Sequence, residues 1–336
     1  MKRKHTFLKT QSLSMIVVLL FFLIFLSACS RLSVPQGWAG FVQHENYIVS
    51  ASMDGQIIAL NKDTGRHKWD PVLIRVEEKN ENRRAVYGTP VIDEGIIIVA
   101  SYDGKLHAVS VDDGRLLETE PVTEEFVAGP AYHDGIIYIG GSDGNMYAYR
   151  VEKISEGTFN FEFEWKRELG SKIWSTASVF NDILIFGSLD HWVYGLDVNN
   201  GDTVWKYETG GAIASPPLVE DGTAYVGSFD STFYAINAES GKEKWRFTES
   251  SNWYWGKPIF FEGYVYAASL DGKIYALESL TGNKKWESVT DGPIVGSPTV
   301  VRDMIIFGST DGKIYVSDLY SGSVLNTCDI DERVET

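Results

Sequence analysis

Seven aspartates set the rhythm of this 336-residue chain. Asp54, Asp103, Asp143, Asp190, Asp230, Asp271 and Asp311 follow one another at intervals of 49, 40, 47, 40, 41 and 40 residues. The stretch Ala268 to Trp286 shows the unit most clearly. Asp271-Gly272 and Thr281-Gly282 mark two turns, and Trp286 opens the run that follows. Glycine supplies the positive φ of such turns, and the Asp carboxylate can accept from nearby backbone N–H groups. Thirteen residues before the Asp stands Pro90, Pro130, Pro217, Pro258 or Pro298; Phe41 and Ala177 interrupt the rule. Fifteen residues after it stands Trp69, Trp205, Trp245 or Trp286, with Glu118 and Asn326 in two units. An insertion, Val151 to Asn160, shifts the match in the third unit to Trp165. A self-similar period near 40 residues is the mark of a repeat architecture.

One unit provides about four short antiparallel strands. Runs such as Gly263-Tyr264-Val265-Tyr266-Ala267 are apolar on successive residues, so both faces of each small sheet need cover. Sheets stacked face to face around an axis cover one another. The expectation is an all-β fold, a seven-bladed β-propeller of four-stranded antiparallel blades over residues 37–330. No stretch has helical periodicity and no linker divides the chain, which indicates one domain. Unit one starts at an inner strand and unit seven ends at an outer one. No strand exchange is expected to lace the ring, and the expectation is that Val34 to Trp38 docks on the last blade as a substitute.

The first 28 residues read as a targeting segment. Met1 to Lys9 is basic, and Met15 to Leu26 is apolar but short for a membrane span. Leu26-Ser27-Ala28-Cys29 resembles the bacterial lipobox, which implies acylation of Cys29 and a membrane anchor there. Residues 29–36 are then a tether and 331–336 a tail. Ser30 after the cysteine implies the outer membrane in a double-membraned cell and the outer leaflet of the cytoplasmic membrane otherwise. Cys328 is left alone, so the mature chain forms no internal disulfide, and it reads as a small buried apolar residue.

The formal net charge is −16. Such a balance disfavours nucleic acid and anionic surfaces as partners. It also serves solubility. The charged stretch between Trp69 and Tyr87, residues 70–86, reads as a solvated loop, with partner docking as the alternative.

The run Gly-Ser-x-Asp-Gly-x-Ile-Tyr-Ala-Leu-x-x-x-Thr-Gly-x-x-x-Trp resembles the repeat of the quinoprotein, or PQQ-like, β-propeller family. Ala268 to Trp286 and Gly227 to Trp245 carry it best, and Ala235, Gly241 and Trp245 match the family's tryptophan-docking pattern, as do Ala276, Gly282 and Trp286. Within that family the chain is similar to the scaffold lipoproteins of outer-membrane β-barrel assembly, whose eight blades exceed the seven units here. The resemblance implies a scaffold for envelope proteins or extended peptides, monomeric within a complex. The family's dehydrogenases hold PQQ against an adjacent-cysteine pair, which this chain lacks, so PQQ is disfavoured and no cofactor is expected.

No nucleophile elbow, phosphate loop or metal-ligand spacing of the six histidines occurs, so neither catalytic nor metal residues are assigned. Two columns of the repeat lie where the chain meets one face of the ring. Sixteen residues before the Asp stand Trp38, Tyr87, Val127, Trp174, Ala214, Trp255 and Val295; one residue before it stand Met53, Tyr102, Ser142, Leu189, Phe229, Leu270 and Thr310. Aromatics in these columns either fill a narrow axis or form a recognition rim. The candidate contact residues are Trp38, Tyr87, Tyr102, Trp174, Phe229, Trp253, Tyr254 and Trp255. Three readings follow: a partner-binding scaffold, a ligand-binding or sensing propeller, and, least favoured, a quinoprotein enzyme.

Overall fold

In the computed structural model every unit of the repeat folds as one four-stranded antiparallel sheet, and seven such sheets make a β-propeller. Residues 38–74, 84–123, 125–155 and 158–330 are described, and they contain no α-helix. Cys29, the leader, the tether, residues 75–83 of the charged segment and the tail lie outside them, as does the side chain of Trp38. In blade 6 the strands are Ile259–Phe261, Tyr264–Ser269, Lys273–Glu278 and Lys284–Val289. First strands touch first strands of adjacent blades, so the short first strand is the inner one. Among the described residues the four strands of blade 1 are consecutive in the chain, as are the four of blade 7, with no exchange between them.

The turn from first to second strand repeats more strictly than either turn marked in the sequence. Its leading residue has positive φ in every blade: Glu45, Glu94, Asp134, Asn181, Asp221, Glu262 and Arg302. Asn, Gly or Asp follows each, at Asn46, Gly95, Gly135, Asp182, Gly222, Gly263 and Asp303. Two-residue hairpins with left-handed residues match the twist of the strands they join. Only two other non-glycine residues have positive φ among the described residues, His191 and Ser231. Both stand where the remaining blades carry the glycine of the Asp-Gly turn.

The repeated tryptophan joins each blade to the next. Its indole Nε1 donates to a backbone carbonyl of the following blade: Trp69 to Val111 at 3.0 Å, Trp165 to Val198 at 2.9 Å, Trp205 to Ala238 at 3.0 Å, Trp245 to Ser279 at 2.9 Å and Trp286 to Leu319 at 3.1 Å. Its ring covers the turn glycine three residues beyond that carbonyl, respectively Gly114, Gly201, Gly241, Gly282 and Gly322. Register explains the small residue that accompanies it. Ala148, Gly195, Ala235 and Ala276 sit directly across the strand pair from Trp165, Trp205, Trp245 and Trp286, beside a bulge that re-aims the strand.

Blade 2 carries Glu118 in place of this tryptophan, and the insertion in blade 3 makes good the loss. It lengthens the last two strands of blade 3 into Asn145–Ser155 and Thr158–Glu168. The lengthened hairpin meets the outer strand of blade 2, Leu116–Pro121. Phe159 and Phe161 point inward from it and join the core of Ile98, Leu106, Phe126 and Ile139. The insertion is thus a continuation of the sheet.

At the inner ring, hydroxyls and amides tie blade to blade. Gly129 N donates to Thr176 Oγ1 at 2.8 Å, Ser175 Oγ to Ser215 O at 3.0 Å, Ser215 Oγ to Gly256 O at 2.9 Å, and Lys257 N to Ser297 Oγ at 2.9 Å. Cys328 corrects the sequence reading: it is exposed, not buried. It lies on the outermost strand of blade 7, Val324–Asp329, all six residues of which are exposed.

Candidate functional site

The turn aspartates are the first candidates for chemistry, and the structure shows each one engaged in its own turn. In blade 6, Asp271 Oδ1 accepts from Lys273 N at 3.0 Å, while Oδ2 accepts from Tyr275 OH at 2.6 Å, Ser250 Oγ at 3.0 Å and Ser251 N at 3.1 Å. The tyrosine four residues after the Asp recurs: Tyr194 donates to Asp190 at 2.7 Å, Tyr234 to Asp230 at 2.6 Å, Tyr315 to Asp311 at 2.7 Å, and Tyr147 to Asp143. Burial alone would raise the Asp143 carboxyl, but hydrogen bonds from Tyr147 and Asn145 outweigh it and hold it below the ordinary range. Asp311 is lowered in the same way against its burial, by Tyr315 and backbone donors. Burial, then the bond to Asp143, pushes Tyr147 up to about 12, so it stays a donor. A carboxylate with three or four donors is a turn fastener. The tyrosine column was readable in the sequence at Tyr147, Tyr194, Tyr234, Tyr275 and Tyr315.

Blade 2 replaces that tyrosine with His107 and so assembles a serine, a histidine and an aspartate. Ser101 Oγ lies 2.8 Å from His107 Nε2, and His107 Nδ1 lies 3.1 Å from Thr119 Oγ1. Asp103 approaches the ring on the Nε2 side, at 3.9 Å. A nucleophilic triad needs the hydroxyl and the acid on opposite ring nitrogens. Here they share one, and the imidazole is 3% exposed. The cluster holds the turn. No group of three or more His, Cys, Asp or Glu among the described residues is placed to hold a metal ion.

The aromatic columns do meet at one end of the blades. Backbone bonds from Tyr102 N to Ala85 O, Phe229 N to Ala212 O and Leu270 N to Trp253 O clamp the lead-in segment of each blade against its Asp turn. Across the seam of blades 5 and 6, Phe229 stacks with two indoles. Its centroid is 4.6 Å from Trp253, with an interplanar angle of 10°, and 5.5 Å from Trp255, at 18°. Trp253 remains 45% exposed. In blade 2, Tyr87 and Tyr102 meet edge to face at 5.6 Å, with Tyr87 exposed. Trp174 donates through Nε1 to Ser142 Oγ at 3.2 Å and lies under Lys172 Nζ at 5.7 Å.

Tyr254 does not join this surface. It is 1% exposed and packs on Phe233, with ring centroids 5.4 Å apart, inside the core between blades 5 and 6. Its column holds Val86, Phe126, Ile173, Ile213 and Ile294 in other blades, all buried. An extended lead-in segment alternates its side chains, so Trp253 and Trp255 face outward while Tyr254 faces the core. The sequence also gave no prominence to Lys257. It is the one charged residue in a column that otherwise holds Gly40, Thr89, Gly129, Thr176, Pro216 and Ser297. Desolvation by the protein around it lowers its ammonium below the usual lysine value, although solvent reaches it.

The fold and this face define a class, a PQQ-like repeat propeller whose repeated polar groups serve its turns and whose Asp-turn end carries the exposed Tyr87 and Trp253. Comparison with known proteins narrows the class. The sequence profile described as outer membrane protein assembly factor BamB matches residues 30–153, 153–253 and 189–334, and the chain belongs to that family. The outer membrane protein assembly factor BamB of Moranella endobia is 28% identical over 173 residues, covering 48% of this chain and 41% of that protein. That of Salmonella typhimurium is 27% identical over 109 residues, 32% of this chain and 26% of the relative. The chain thus spans well under two thirds of the curated relatives it matches. Among solved structures, BamB from Moraxella catarrhalis superposes with a TM-score of 0.66 at 20% identity over 81% of each chain. The computationally designed Ika8 protein gives 0.71 at 16% identity over 89% of each chain. At such identities the likeness shows the fold. No helix among the described residues is long and apolar enough to cross a membrane.

Proposed function

We propose that the protein is a lipid-anchored, extracytoplasmic scaffold that binds envelope proteins or extended peptides, in outer-membrane protein assembly where the cell has an outer membrane. Membership in the BamB family supports the scaffold class, and the relatives are by description assembly factors. One observation carries the reading. The stack of Trp253, Phe229 and Trp255 presents an indole to solvent, while the polar groups of the turns beside it are taken up by their own turns. Flat, rigid aromatic surface held in place by its neighbours is what anchors a protein–protein contact. The membrane anchor is the acylated Cys29, and the propeller works as a monomer within a larger complex. It needs no cofactor and carries no catalytic residue, and nucleic acid is not a partner.

Mild crosslinking of intact envelope followed by solubilisation and pull-down tests the reading. The expected result is a defined partner that is lost from the Trp253→Ala, Trp255→Ala double variant while that variant keeps its melting temperature. Recovery of no partner, or equal recovery with the double variant, contradicts it. A second reading rests on Trp174, whose Nε1–H points at Ser142 within the same rim. A flat ligand recognised there would raise the melting temperature of the wild type and not of Trp174→Ala.

A further inference from the structure

The chain enters each blade through a short segment that leads from the aromatic column into the first strand. Seven segments of five residues, 38–42, 87–91, 127–131, 174–178, 214–218, 255–259 and 295–299, make up this inner ring. In all of them one side chain is charged, that of Lys257.

Its column is the one that meets solvent. The residues on either side of the column are buried, as Ala128 and Pro130, Ser175 and Ala177, and Ser215 and Pro217 show, while Thr89, Thr176, Lys257 and Ser297 within it are open to solvent. The first strands are innermost, so the column faces the axis of the ring. The backbone here is held from both sides. Lys257 N donates to Ser297 Oγ of blade 7 at 2.9 Å, and Gly256 O accepts from Ser215 Oγ of blade 5 at 2.9 Å. Gly256 lies so near blade 7 that a Cβ on it would come within 2.6 Å of Gly296 O. Among the described residues the Lys257 ammonium has no ion pair, and desolvation acts on it with no carboxylate to offset it.

We propose that Lys257 binds one carboxylate of an extended segment of a partner protein, the same segment that lies on the Trp253, Phe229 and Trp255 stack. The inference rests on the scaffold reading and names the chemistry of what the scaffold holds. A partly desolvated ammonium is stabilised by a single anion placed against it. Ser297 Oγ, which accepts from Lys257 N, keeps its own proton to donate to that carboxylate. A group with several charges finds no second cation in the inner ring and is repelled by a chain of net charge −16. Trp253 and Lys257 are four residues apart, at most about 14 Å of chain, so a short extended segment reaches from one to the other. The carboxylate is an acidic side chain or the partner's C-terminus.

Carbodiimide treatment of intact envelope tests this, because it joins an amine to a carboxylate in direct contact through an amide. Peptide mapping should find Lys257 Nζ bonded to a carboxylate of the partner, and the linked fragment tells a side chain from a C-terminus. Lys257→Met should lower recovery of that partner about tenfold, as loss of a charged hydrogen bond does, at an unchanged melting temperature. Lys257→Arg should keep the partner and lose the amide. A synthetic peptide of the linked segment, read by anisotropy against the full-length protein in detergent, should bind about tenfold more weakly when that carboxylate is made an amide. With Lys257→Met the two peptides should bind alike. Equal recovery of the partner by Lys257→Met, no partner carboxylate on Lys257, or indifference to amidation would each overturn this inference and leave the scaffold standing. Recovery of no partner would overturn both.

Discussion

Trp286 lies over Gly322 of the neighbouring blade so closely that a Cβ on that glycine would come within 2.5 Å of the indole. The same glycine has a φ of 71°. A side chain at residue 322 therefore meets both a steric and a backbone penalty. Gly322→Ala is expected to destabilise the protein by about 2–3 kcal/mol. Trp286→Ala leaves a cavity and removes one of the two donors to the Leu319 carbonyl, the other being Tyr266 OH, and about 3–5 kcal/mol is expected. Urea unfolding checks both values.

The lengthened hairpin of blade 3 gives a second contrast. Phe159 is buried in the seam it closes, while Phe163 on the same strand is 55% exposed. Phe159→Ala should cost about 3 kcal/mol, and Phe163→Ala about 0.5 kcal/mol or less. Equal effects in thermal or urea unfolding would remove the hairpin from its place as the substitute for tryptophan at residue 118.

His191 and Ser231 hold φ values of 77° and 68° in a turn that other blades give to glycine. Left-handed backbone costs a side chain about 1–2 kcal/mol, and glycine returns part of that through its freer unfolded chain. His191→Gly and Ser231→Gly should each raise stability by about 0.5–1 kcal/mol, measured as a shift in the urea midpoint.

The turn carboxylates link stability to acid. Asp103, Asp143 and Asp311 have folded pKa values below their ordinary ones, each because hydrogen-bond donors outweigh the opposing effect of burial. A depressed carboxyl stabilises the fold above its unfolded pKa of about 4 and loses that contribution as pH falls through the lower folded value. Melting temperature should therefore fall steeply below about pH 4, and Asp143→Asn should flatten that fall. Tyr147, raised to about 12, behaves oppositely: its contribution is complete below pH 10 and is lost as pH rises through the folded value. A melting temperature indifferent to pH from 2 to 4 would contradict the fastener role.

The architecture was readable because its signals recur in phase. The Asp-Gly turns, the Pro column and the Trp column each point to the same period, and the blades follow. Single positions were harder. Tyr254 stands between two outward indoles, and only its column, with valine, isoleucine and phenylalanine elsewhere, marks it as core. Cys328 occupies a position that blade 6 buries as Ser288, but its own strand is exposed along its whole length. The insertion at Val151 had no reading of its own in the sequence because its purpose, replacing an absent side chain in the preceding blade, is a tertiary one. Lys257 gained its place only once the inner ring was assembled around it.

The central claim is that the end of the ring bearing Trp253 meets a partner. A photo-crosslinking amino acid placed at residue 253 in living cells tests this directly, with residue 280 as control, since Leu280 is 89% exposed on the turn at the other end of the same blade. The account predicts a discrete crosslinked envelope protein from position 253 and none of that species from position 280. The same species from both positions, or none from 253, would contradict it.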